Sequence, residues 1–395
     1  MTSNPQDPFD YPGKPSPIDR EELLRLIEEN GGPGRLDLSG RVFLADRFAS
    51  DWHSGSPMDL SPQALEPLAE SYRARTGTGP PWLAGGPINL QGTDLHASWL
   101  PGTLMEGAAL SGANLQGCFL FGTHLEGALL AHADLRGATI SGAILQDAQL
   151  PWAKLQGASL TDANLRKADL RWAELQRVNM YDVRSLDGAH WYGALLEHTH
   201  IKQESLGKAI GEELDADRDT TAWAYHEAKE VYLLLKNNFN QIGRYEEASW
   251  AYVKERQMER KALYQEHRWW IWPLNRWMPK SWNSWWRWVL AWGTEALTKY
   301  GQDPWRPIVW AVALTVGLFP LLFWTAGNLH YQNGASITAY WDAIAYSLTT
   351  FGTLSFNDLQ PVGIATRIIS AIEAFTGVLL FALLVFTLGN KMSRE

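Results

Sequence analysis

Through the middle of the chain the apolar positions recur every five residues. From Ile88, leucine or a substitute falls at Leu90, Leu95, Leu100, Met105, Leu110, Leu115, Leu120, Leu125, Leu130, Leu135, Ile140, Leu145, Leu150, Leu155, Leu160, Leu165, Leu170, Leu175 and Met180. Two places ahead stands a small residue almost throughout, as at Ala108, Ala113, Cys118, Thr123, Ala128 and Ala173. A period of five fits neither the 3.6-residue helix nor the two-residue strand. A wall that turns a corner every five residues satisfies it. About nineteen such units follow one another. Each coil buries its leucines only against its neighbours, so the ends need caps. The natural candidates are Asp51 to Pro87 and the segment after Val183, where the pattern decays through Leu186, Ala189 and Leu195.

Outside the repeats the pattern turns helical. Residues 1–15 are rich in Pro, Asp, Ser and Asn and are expected to be disordered. Ser16-Pro17, with Asp19, Glu21 and Glu22 behind it, predicts a helix start, and Asn30 before Gly31-Gly32 predicts its end. A second helix is expected from Ser61 to about Arg75. Beyond the repeats, Tyr225, Ala228, Val231, Tyr232 and Leu235 share one helical face, Gly243 breaks it, and Ala248, Ala251, Met258 and Ala262 share another. This is a helical hairpin packed on the last coil. Residues 269–292 hold nine tryptophans with Arg268, Arg276, Lys280 and Arg287 among them. Indole prefers the membrane interface, and an amphipathic helix lying there fits better than a platform for bases or sugars.

Two apolar runs follow, Ile308 to Thr325 and Ile364 to Leu388. At about 1.5 Å per residue they span roughly 27 and 37 Å, enough to cross a hydrocarbon core. Between them the chain starts as a short helix at Tyr340 and then turns polar. Irregular backbone at membrane depth is tolerated only in protein or beside water, which predicts a re-entrant pore loop. Lys299, Arg306, Lys391 and Arg394 flank the crossings, with Arg367 alone between them, so both ends are expected on the cytoplasmic side of a bacterial inner membrane.

Composition narrows the classes. The net charge of −9 speaks against nucleic-acid binding. A single cysteine, Cys118, leaves no intramolecular disulfide and no multi-cysteine metal site. His198 and His200 are the closest histidine pair and weak evidence for metal. No enzyme constellation and no cofactor site is visible, and no leader segment opens the chain.

The units ANLQG, ADLRG, ANLRK and ADLRW resemble the pentapeptide-repeat family, which implies a right-handed, quadrilateral β-helix. The stretch YSLTTFGTLSFNDLQP is similar to the pore of two-transmembrane potassium channels, and RIISAIEAFTGVLLFALLVFTLGNK to their inner helix. That resemblance implies a homotetramer with Thr349 and Thr350 on the pore helix and with Thr353, Leu354, Ser355, Phe356, Asn357 and Asp358 at the filter. It also implies Glu373 as a brace or field source and Gly377 as the bend on opening. Where the family has T-V-G-Y-G, this chain has Thr353-Leu354-Ser355-Phe356-Asn357, and both glycines are gone. Carbonyls aimed at an ion need dihedrals that glycine permits and serine does not. Strict potassium selectivity is therefore not expected, whereas Asp358 and Glu373 favour cations.

The resulting expectation is multidomain: residues 1–34 as tail and helix, 35–201 as β-helix with an insertion at 51–87, 202–268 as helical hairpin, 269–304 as Trp-rich interfacial helix, and 305–395 as an α-helical two-transmembrane pore domain. The function expected is a tetrameric channel for monovalent cations in the lipid bilayer, coupled to an unknown cytoplasmic ligand or protein. A membrane-tethered scaffold with a silent hairpin is the alternative. DNA mimicry is disfavoured, because Arg136, Lys154, Arg166 and Arg171 mix with the acids on the outer wall.

Overall fold

The computed structural model describes residues 17–34, 36–43, 58–83, 87–267, 279–326, 329–331, 337, 339–352 and 359–392, with the backbone alone at 17, 279–286, 288, 289 and 390. The disorder expected at 1–15 and the tryptophans of 269–277 fall outside it. The chain forms two compact units, Met1–Gln265 and Glu266–Glu395.

The first unit is organised by stacked coils. Asn89 bridges Ala109, Asn114 bridges Asp134, and Lys154 bridges Glu174, always in parallel and twenty residues apart. Four five-residue units therefore complete one coil of a β-helix. At each corner a carbonyl accepts the N–H three residues on, as Leu115 accepts from Cys118 at 3.1 Å, with φ 67° at the intervening Gly117. That positive φ is what a type II turn demands of its third residue. The leucines point inward and are fully buried, with the small residue beside them. At several positions where that slot is not Ala, the side chain donates to a carbonyl one coil below, although the buried Thr103 hydroxyl has no partner among the described residues. Ser98 Oγ reaches Leu38 O at 2.8 Å, Cys118 Sγ reaches Leu95 O at 2.7 Å, and Thr123 Oγ1 reaches Leu100 O at 2.7 Å. These three buried hydroxyl and thiol groups are tolerated because they are paired. Burial pushes the Cys118 thiol up to about 12.

The first coil departs from the sequence expectation. Asp37 bridges Asp94, Val42 bridges Trp99 and Asp59 bridges Leu104, so Met58–Leu60, inside the span read as an insertion, is wall. Pro17–Ile18 (β1) is not a helix start but pairs in parallel with Val42–Phe43 (β2). Helix α1 (Arg20–Glu29) is capped instead by Asp19, whose carboxylate accepts the Glu22 N–H at 2.8 Å. Ile18 is drawn into the core and its strand pairing moves the helix start past it, where Asp19 is an equally good cap. Helix α2 (Pro62–Thr76) starts at Ser61 and ends on Gly77 with φ 72°.

The last coils also differ from expectation. The repeat does not decay after Val183; it shifts phase. Bridges there join residues twenty-one apart, from Asn164–Ser185 to Asn179–His200. The inward residues become Leu186, Trp191, Leu196 and Ile201, while Leu195 is 46% exposed against 3% for Leu196. One extra residue near Asp182 moves every later side chain by one place, as register arguments require.

Helices close this end: α3 (Gly211–Asp219), α4 (Ala222–Gln241) and α5 (Tyr245–His267). Glu212 Oε1 accepts the N–H groups of Trp191 and Tyr192, and the Gly211 N–H donates to Ala189 O at 2.8 Å. The Asn238 amide clasps Thr199 from both sides, at 3.0 and 2.8 Å. A Cβ at Gly211 would stand 2.7 Å from the His190 ring, so only glycine fits there. Between α3, α4 and α5, Glu213 takes the Tyr232 hydroxyl and the Lys254 ammonium.

The second unit begins with α6 (Pro279–Thr298), whose Leu290 and Trp292 are exposed. Two helical runs, Trp305–Ala326 and Ile364–Gly389, are long and apolar enough to cross a membrane. The first run is α7 (Trp305–Val312), a π-helical turn at Ala313–Leu318, and α8 (Phe319–Ala326). Pro320 lacks the N–H that would bond Val316 O, which accounts for the irregular turn before it. Leu329–Tyr331 (β3) pairs antiparallel with Leu359–Pro361 (β4). Between them runs α9 (Tyr340–Phe351), and α10 (Ile364–Met392) follows.

Candidate pore region

Helix α9 has twelve residues and spans roughly 18 Å, too little to cross a bilayer. The Ala339 N–H donates to Asp342 Oδ2 at 3.3 Å at its start, and Gly352 ends it. Ala343, Ile344 and Ser347 are buried, whereas Trp341 and Leu348 are exposed.

The partner is α10. Its seam against the rest of the unit is Thr366, Ser370, Glu373, Gly377, Leu380, Leu384 and Thr387, alternating four and three residues apart; five of these are buried, with Ser370 and Leu384 half-buried. This is the 3.5-residue spacing of helices packed side by side. Along it three contacts hold α9. The hydroxyls of Tyr346 and Ser370 are 2.9 Å apart. One turn on, the Ser347 hydroxyl donates to Glu373 Oε1; both residues are completely buried, and Glu373 Oε2 has no partner among the described residues. One turn further, Phe351 O lies 2.2 Å from where a Cβ on residue 377 would stand, and Gly377 has none. Ser347 and Phe351 are four apart on α9, and Glu373 and Gly377 are four apart on α10. The two helices therefore meet in step.

From the other side α8 adds Phe323, edge-on to Tyr346 with centroids 5.1 Å apart. The Tyr340 hydroxyl lies 3.2 Å from Val316 O and 3.3 Å from Gly317 O. These include the carbonyl released by Pro320, so the start of α9 satisfies the irregular turn of the first crossing helix. Such freed groups must find a donor in an apolar surrounding.

The sequence-predicted residues distribute as follows. Thr349 and Thr350 lie in the last turn of α9, half-buried, and the Thr349 hydroxyl donates back to Tyr346 O at 2.8 Å. Glu373 and Gly377 both face α9. Thr353, Leu354, Ser355, Phe356, Asn357 and Asp358 lie outside the described residues. Sequence reasoning gave no contact role to Ser347, Tyr340, Tyr346 or Ser370. The equal four-residue spacing of Ser347–Phe351 and Glu373–Gly377 was the available signal for the first of these.

Comparisons with known proteins match two parts of the chain. Residues 88–127, 120–157 and 143–182 fit the model of pentapeptide repeats, in eight copies, and residues 309–394 fit that of an ion channel. No curated protein matches the chain. Among solved structures, a pentapeptide repeat protein from the Arabidopsis thaliana thylakoid lumen is 30% identical over 23% of this chain and 63% of its own, with a TM-score of 0.23. Rfr23 from the cyanobacterium Cyanothece 51142 is 36% identical over 23% of this chain and 58% of its own, with a TM-score of 0.20. HetL from Nostoc sp. strain PCC 7120 is 21% identical over 47% of this chain and 95% of its own, with a TM-score of 0.13. The chain thus spans less than two thirds of the first two. It carries pentapeptide repeats together with a potassium-channel-like domain.

Proposed function

We propose that the protein is a homotetrameric membrane channel for monovalent cations, coupled to its pentapeptide-repeat unit. The observation that carries this reading is α9, a helix too short to cross, tied to α10 by a buried polar contact and touching the first apolar run through Tyr340, inside the segment that fits an ion channel. A buried carboxylate in an apolar helix is costly and marks function or a dedicated partner; here Ser347 is that partner. In this reading α9 is the pore helix of a re-entrant loop, residues 353–358 line the filter, and Asp358 adds negative field. Four copies enclose the pore, because one hairpin cannot. Both termini lie in the cytoplasm of a bacterial cell, and the β-helix, right-handed and four-sided, senses a ligand or protein there. Residues 35–201, 202–268, 269–304 and 305–395 act as sensor, linker, interfacial collar and pore. The chemistry is conduction, with no enzymatic step.

The test is single-channel recording from purified full-length protein in planar bilayers under asymmetric potassium, sodium and chloride. Discrete openings with a reversal potential that follows the cations support the channel. Silence across voltage, tension and pH, from protein shown to be tetrameric, sinks it. The loss of both filter glycines favours a second reading, a membrane-tethered scaffold whose working part is the β-helix. That reading predicts that changing Ser355 and Asn357 alters nothing measurable.

A further inference from the structure

The outer face of the β-helix carries a Glu–His–Glu cluster outside the conduction path proposed above. Glu106 and Glu126 occupy the same place in successive coils, each one step before a corner glycine, Gly107 with φ 69° and Gly127 with φ 65°. The Gly107 N–H donates to Glu126 O at 2.8 Å, so the two backbones are locked one coil apart. His124 stands on the adjoining wall, bridged to Leu104 on one side and Ile144 on the other. The fold therefore fixes the origins of all three side chains.

Two carboxylates one coil apart repel unless something positive lies between them. His124 Nδ1 is 3.7 Å from Glu106 Oε1 and 3.6 Å from Glu126 Oε1, beyond hydrogen-bond length. Neither glutamate is paired with a lysine or arginine among the described residues. On side chains that are 35% exposed overall, Glu106 Oε2 and Glu126 Oε2 each expose under 1 Å² and have no hydrogen-bond partner among the described residues. A carboxylate oxygen withdrawn from water and left without a donor is costly, which points to a cation as the missing partner.

One ligand atom from each residue lies within 4.8 Å of the other two. In a tetrahedral site with bonds near 2.1 Å, ligand atoms sit about 3.4 Å apart, close to both histidine–glutamate separations. Two carboxylates neutralise a doubly charged ion. An imidazole nitrogen in the set suits first-row transition metals rather than Ca²⁺ or Mg²⁺, which prefer oxygen alone. The column ends there, since the next two coils place Gln146 and Arg166 at the equivalent positions. We propose that Glu106, His124 and Glu126 bind a divalent transition cation on the wall of the β-helix, with Zn²⁺ as the probe. The site is a property of the repeat unit and stands whether or not the membrane unit conducts.

The experiment is calorimetric titration of full-length, tag-free protein in detergent, stripped of metal beforehand, with Zn²⁺. The expected result is one saturable site per chain, weakened about tenfold or more by His124→Gln and by Glu126→Gln, and unchanged by His198→Gln. Mg²⁺ and Ca²⁺ at equal concentration leave it unaffected. Absence of saturable binding, displacement by Ca²⁺, or binding indifferent to both substitutions overturns the proposal. The substituted side chains lie outside the core, and a metal-free melting curve confirms each variant's fold; Glu106→Gln gives a third, independent reading.

Discussion

At Gly377 the absence of a side chain does the packing. An added Cβ would lie 2.2 Å from the Phe351 carbonyl, a backbone atom that cannot swing aside. Gly377→Ala must push the end of α9 away, and overpacking of this kind costs about 1–3 kcal/mol. Gly389, on the same helix, has nothing within 4 Å of such a Cβ, so Gly389→Ala is expected to be neutral or slightly stabilising. Thermal melts of the two variants in the same detergent check the contrast; equal midpoints would remove the packing role and leave Gly377 free to act as a bend. Cys118 offers a second test at this scale. Its thiol is buried, donates to Leu95 O and is pushed up to about 12, so the reactive thiolate is scarce at neutral pH. A thiol reagent should label it only as the β-helix unfolds, and prompt labelling of folded protein would contradict the wall described here.

At the scale of elements, the cap on the last coil sets its own pH behaviour. Glu212 accepts two wall N–H groups that have no further coil to bond, and burial raises its carboxyl above the usual range. A group with a raised folded pKa contributes stability that is complete below its unfolded value and is lost as pH rises through the folded one. The unit is therefore expected to gain stability as pH falls from neutral toward about 4.5. Glu212→Gln keeps the acceptor without the charge and should flatten that dependence. Glu212→Ala strands two buried donors and should cost roughly 1–3 kcal/mol per group at neutral pH. Denaturant melts of the three proteins across this pH range read the difference. The same region shows what a sequence conceals. The five-residue period announced every wall from Leu90 to Met180, because sterics repeat there without variation. A single extra residue near Asp182 hid the last coil, since periodicity cannot distinguish a lost pattern from a displaced one; the decay is traced through Leu195, which is exposed, while Leu196 is the buried residue. The short helix between the crossings was legible from length and polarity. Its ties to α10 were not, because Ser347 meets Glu373 only once two helices have been placed side by side.

At the scale of the molecule, the two units bury their side chains in different ways. The repeat unit closes its own core: the inward-pointing leucines of the coils are covered, and Glu212 and Asn238 occupy the open backbone at its end. The membrane unit leaves Ile368, Ile372, Phe375, Val378, Phe381, Val385 and Phe386 exposed along α10, an apolar surface that lipid or another apolar helix can cover. Further copies of α10 are the partner this surface suits in the proposed tetramer. If so, assembly belongs to the membrane unit. A chain of Met1–Gln265 alone is expected to be soluble and to melt within a few degrees of the same unit in the full protein. Glu266–Glu395 in detergent is expected to keep the full protein's number of copies, read by light scattering on a sizing column. A monomeric Glu266–Glu395 beside a tetrameric full chain would move the assembly contacts into the repeat unit. Stacked β-helices would then hold the pores together, and the β-helix would be the scaffold on which the channel is built.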